Sequence, residues 1–170
     1  MKSGVTRFVL GVEATVRFFG VIAAWTCVLL VLLVAGDVLV RYFFRAGAVW
    51  AQELQWHLMS PIALFGMSYA LMSGEQVRVD ILFDRFGSQV QRIIEIIGGL
   101  LILGLGAFLV TISLPWVEMS YVRAEGSPNP GGLPHRFLLK AFIPFGFFLL
   151  ALQGLAHTLR HIFLIEKATN

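Results

Sequence analysis

Long apolar runs separated by short polar bends dominate this chain. Four stretches, Phe18–Val40, Leu54–Met72, Ile96–Val117 and Ala141–Leu159, are long and apolar enough to cross a bilayer, which takes about 20 residues of helix for roughly 30 Å of hydrocarbon. Asp37 is the one charged residue in the first stretch, and the others carry only His57 and His157. The pattern predicts an all-α fold: a single membrane domain over residues 1–170, built as an integral four-helix protein. Its centre is the hairpin from Asp37 to Asp80, where one span ends, a polar bend follows and a second span runs back.

Between spans two and three the period changes. From about residue 78 to 95, Val79, Leu82, Phe83, Phe86, Val90, Ile93 and Ile94 share one helical face, with Asp80, Asp84, Arg85, Arg92 and Glu95 on the other. This predicts a short amphipathic helix lying in the lipid interface; docking of a soluble partner is the other use of such a face. Ser88 with Gln91 three residues on reads as a capping box, so the third helix is expected to begin below the membrane. The Glu118–Lys140 connection contains GSPNPGGLP and is expected to be irregular. It fits two uses, a contact for a soluble periplasmic partner or a strap over the spans.

Composition agrees: 58% of residues are hydrophobic and 14% charged, well outside the globular average. The net charge of +3 comes from scattered Lys and Arg, which argues against a nucleic-acid partner. With Cys27 as the single cysteine, no intrachain disulfide can form. The first apolar run is too long for a signal segment and lacks a small-residue cleavage site, so it is expected to stay as an anchor. Four spans place Lys2, Arg7, Arg17, Arg78, Arg85, Arg92, Arg160 and Lys167 on one side, against Arg41, Arg45, Arg123, Arg136 and Lys140 on the other. That excess predicts both termini in the cytoplasm, with Trp50, Trp56 and Trp116 in the outer interfacial belt.

The polar residues near the spans are few. Asp37 lies about 28 Å up a helix starting near Phe18, close to the outer interface, with Arg41 one turn later. An intramembrane carboxylate is a relay candidate, but at this depth a span-ending ion pair carries more weight. Glu53, flanked by Trp50 and Trp56, reads as an interface anchor or partner contact before a catalytic acid. Gly66, Ala70 and Gly74 form a small-residue stripe on the second span that lets another helix approach. Gly99, Gly106 and Ser113 recur every seven residues on the third and should face one neighbour.

No phosphate-binding loop, dinucleotide fingerprint, nucleophile elbow or sequence clustering of Cys and His is present. The chain is therefore not expected to be an enzyme, and no cofactor or metal is predicted. The rival reading is a four-helix haem b anchor of a redox complex. It would need axial histidines at one height, whereas His57 and His157 are expected to differ by about 20 Å. Transport by this chain alone would call for an internal repeat and polar groups at mid-membrane, and neither is evident.

The order Asp37-x-x-x-Arg41-Tyr42-Phe43-Phe44, Trp50-x-x-Glu53, Gly66, Tyr69-Ala70 and Gly74-x-x-Val77-Arg78-Val79-Asp80, with a last span opening LLKAFIPFGF, resembles the small permease subunit of TRAP transporters. These are the tripartite ATP-independent periplasmic transporters of bacteria. Gln76 departs from the resemblance, standing where a histidine would precede Val77-Arg78. The resemblance implies an accessory subunit in the cell inner membrane, partnered by a large multi-span permease and a periplasmic solute-binding protein. It implies secondary, sodium-driven transport of organic acids, in which this subunit braces the permease. Asp37, Arg41, Trp50, Glu53, Gly66, Ala70, Gly74, Arg78 and Asp80 would then be structural or inter-subunit groups.

Overall fold

The computed structural model describes residues 2–45, 47–75 and 86–163. They form four helices in up-down-up-down order: α1 (Lys2–Phe44), α2 (Val49–Ser73), α3 (Ser88–Val122) and α4 (Arg136–Phe163). Each expected span falls inside one helix. By length and composition α1, α3 and α4 are able to cross a membrane. The shorter α2 is interrupted by Gln55, His57 and Pro61 and falls outside that group. Arg78 and Asp80, with the first part of the expected interfacial helix (residues 78–85), lie outside the described residues.

Helix α1 is about 65 Å long at 1.5 Å per residue, twice the hydrocarbon thickness. Its first four turns extend beyond the apolar run, and their period explains why. Val5, Val9, Val12 and Val16 recur every three or four residues. Val9, Val12 and Val16 are buried against Ala156 of α4, with Met72 of α2 alongside. The same narrow stripe continues through Phe19, Gly20 and Ala23. A methyl group on Gly20 would strike the Tyr69 ring, so α1 and α2 cross closely here. Phe19, Phe65, Phe142 and Phe145 fill the space above this crossing, with ring centroids 5.0 to 6.0 Å apart in the tilted and edge-to-face geometries aromatic pairs favour.

Helix α4 is the hub. It packs on all three others, whereas among the described residues the substantial packing of α3 is on α4 alone. The most apolar stretch of α4 is 39% buried, against 11% for those of α1 and α3, so two long apolar surfaces face outward. The heptad spacing on α3 has the expected consequence. A Cβ on Gly99 would meet Thr158 and Gly154, and one on Gly106 would stand 2.9 Å from Ala151 Cβ. Gly154 answers from the other side, 2.9 Å from the Leu103 backbone by the same measure. Small residues on both helices let the backbones approach, as helix pairs in lipid do.

Helix α3 begins where expected, but not by the expected means. Gly87 is the cap residue, in extended backbone, with no side-chain cap bond, so Ser88 is already helical and cannot close a capping box. Consequently residues 88–95 of the predicted interfacial segment form the opening turns of α3. Val90, Ile93 and Ile94 on their apolar face are exposed.

Candidate functional site

The polar chemistry gathers at the two ends of the bundle. At the end where α1 and α3 finish, Glu53 in the first turns of α2 is buried and faces the Ser127–Leu133 loop. Ser127 Oγ donates to Glu53 Oε1, Asn129 Nδ2 to the same oxygen at 3.3 Å, and the Leu133 amide to Oε2 at 2.7 Å. The Ser127 hydroxyl, the Leu133 amide and Asn129, helped by the nearby Arg136 charge, hold this carboxyl below the ordinary carboxylate range, since all of them favour the ionised form.

The loop closes on itself around this anchor. The Ser127 amide donates to the Leu133 carbonyl at 3.1 Å and the Gly132 amide to the Asn129 carbonyl at 3.0 Å. Gly132 lies so near Ser127 and Glu53 that a side chain there would collide with both. Lys140 pairs with Glu125 and lowers its pKa in turn. The loop lies against α2 as a strap would, with Glu53 as its buckle, a geometry that bears on one of its two expected uses and leaves the partner contact open to the same surface. Sequence reasoning marked Glu53 and the loop separately; their meeting, 74 residues apart at Ser127, comes only from the fold.

Asp37 and Arg41 form the expected i,i+4 pair at 2.7 Å, with the aspartate side chain mostly covered and the guanidinium half exposed. Trp50, Trp56 and Trp116 are all exposed at this same end, as a membrane-water belt requires. His57 Nδ1 bonds the Glu53 carbonyl of its own helix at 2.8 Å.

At the opposite end, Glu13 pairs with Arg160, and both are buried. Glu95 meets His157 at 2.9 Å. Arg92 donates to the His161 and Ile162 carbonyls, each at 2.7 Å, satisfying the last turn of α4, where carbonyls lack helical partners and attract cations. Sequence reading did not pick out these ties. The one signal available was the valine period that carries Glu13 onto the α4-facing stripe. His57 and His157, weighed as haem ligands, sit at opposite ends of the bundle.

The small-residue stripe of α2 divides. A Cβ on Gly66 would meet nothing within 4 Å and Ala70 is half-buried, so Gly66 seats no other helix among the described residues. Gly74 belongs to a different structure, the helix end: at φ 81° its amide returns to the Ala70 carbonyl at 3.0 Å, the left-handed cap that glycine adopts without strain.

Residues 30–164 match the family described as tripartite ATP-independent periplasmic transporters, DctQ component. The chain belongs to that family. The match runs from the upper half of α1 to the end of α4, so it takes in the Glu53 buckle, the α3–α4 seam and the Asp37–Arg41 pair. No curated protein shows a significant match to the chain. A DctQ component is the small permease subunit of a TRAP transporter, a transporter part and not an enzyme. Such a subunit works beside a large permease and a solute-binding protein. Its helices mark it as an integral membrane protein.

Proposed function

We propose that this DctQ component is a fixed brace in a sodium-coupled secondary transporter for organic acids, with the ion and solute sites held by the large permease. On this reading α2 completes a four-span topology in the inner membrane, with both termini in the cytoplasm. The observation that supports it is where the polar groups are spent. Glu13, Asp37, Glu53, Glu95 and Glu125 are each tied to another group of the same chain. Between them, among the described residues, lie phenylalanines and glycine seams, with the neutral side chains of Ser68 and Gln153 buried there and no charged group to meet a solute carboxylate or a sodium ion. The outward apolar faces of α1 and α3 offer area for the permease, for lipid, or for both.

Reconstitution tests this directly. The purified chain in liposomes under an inward sodium gradient, with solute-binding protein supplied, is expected to show no uptake until the large permease is added. Sodium-driven uptake by the chain on its own would refute the brace.

A further inference from the structure

The end of the bundle where α4 finishes holds a cluster that sequence spacing did not disclose. Glu95 projects from the third turn of α3, and His157 and His161 lie one turn apart on α4. One donor atom from each of the three lies within 4.8 Å of the other two. Two histidines at i,i+4 present both rings on one face of a helix, and a carboxylate opposite completes a His2Glu donor set. We propose that Glu95, His157 and His161 form a site for a divalent transition metal of the zinc class, clamping α3 to α4. The proposal stands independently of the transport reading.

The surroundings are those of a ligand set. His161 Nδ1 donates to the His157 carbonyl at 2.9 Å. This fixes the tautomer with the lone pair on Nε2, and metal-bound histidines characteristically give their other ring N–H to such an acceptor. The two rings stand with centroids 4.4 Å apart. His157 Nε2 already lies 2.9 Å from Glu95 Oε2, so a metal takes the place of the proton shared there and releases it to water. Bound donors on a tetrahedral ion sit about 3.4 Å apart, a value between the 2.9 Å that separates His157 from Glu95 and the 4.8 Å that bounds the whole set. Three protein ligands leave a fourth position for water. The Arg92 guanidinium, bound to the His161 and Ile162 carbonyls, opposes a dication electrostatically. The affinity is accordingly set below that of closed four-ligand zinc sites. The clamp fits its position, because α3 has α4 as its main support in this chain.

The test uses the full chain without a polyhistidine tag, purified in mild detergent and stripped with chelator. It is titrated with Zn2+ alone by calorimetry, and with Co2+ while the visible spectrum is recorded. One saturable equivalent of Zn2+ is expected, together with the intense ligand-field bands of four- or five-coordinate Co2+. His161→Ala keeps the Glu95–His157 bond, and with it the helix seam, and should weaken binding about a hundredfold or more. Glu95→Gln should do the same, while His135→Ala in the loop should leave both titrations unchanged. Absence of a stoichiometric site in the wild-type chain overturns the proposal. So does Zn2+ binding that survives both His161→Ala and Glu95→Gln, or that disappears with His135→Ala. Should His161→Ala fail to fold, the wild-type titration and the Glu95→Gln spectrum decide the matter.

Discussion

At the scale of single residues, Glu53 is held by donors that exist only when the loop lies across the bundle. Its pKa is lowered from an ordinary 4.5, so the folded state binds its proton less tightly than the unfolded chain does. The stabilisation is therefore fully present above about pH 5 and is lost as pH falls through the depressed folded value. Acidification should free the loop, read as faster proteolysis within residues 126–133, and Glu53→Gln should produce that sensitivity already at neutral pH. Glu13 and Arg160 pose a different problem, because both are buried. Glu13→Ala leaves a guanidinium uncompensated and should cost roughly 3–5 kcal/mol in unfolding experiments in detergent. Replacing both partners by apolar residues of similar size should recover most of that loss, since the pair's own net contribution is small. Asp37 is nearer the surface, and its pair with Arg41 ends the apolar stretch of α1. Asp37→Asn is expected to reduce recovery of the complex with the permease while the sodium Hill coefficient of uptake stays unchanged.

At the scale of elements, two glycine positions that look alike in sequence separate cleanly. Gly106 sits against Ala151 and the Phe147 carbonyl, so Gly106→Leu must push α3 off its principal support. Overpacking of this kind costs about 1–3 kcal/mol and should lower the melting temperature of the chain itself. Gly66 faces open space, and Gly66→Leu should leave that temperature unchanged. If the permease uses this stripe, the same substitution lowers co-purification; unchanged recovery would remove Gly66 from the interface. The α3–α4 seam was legible as a seven-residue recurrence of small residues, because one helical period suffices to define a face. The cap of α3 was misread for an equally physical reason. Ser88 is a good cap by type, but the backbone turns one residue earlier, at a glycine with no side chain to advertise it.

At the scale of the whole molecule, the bundle is lopsided. Helices α1, α2 and α4 enclose a shared core, and α3 stands outside it on α4. Buried polar pairs stitch both ends, and long apolar surfaces remain on α1 and α3. In water such exposure would drive aggregation; in a bilayer it costs little, because lipid tails are as apolar as the side chains they touch. A brace needs this division, with internal stiffness from end-to-end ties and a broad outer face for a larger partner.

The helices and the positions of their polar ends follow from the chain alone, because hydrocarbon thickness and helical rise convert apolar run length directly into architecture. Pairings between distant residues do not. Glu53 with Ser127 and Leu133, Glu13 with Arg160, and Glu95 with His157 each join elements whose relative rotation is set by where small residues allow close approach. That rotation is a property of packing, fixed by many weak contacts at once, and no local pattern of residues encodes it.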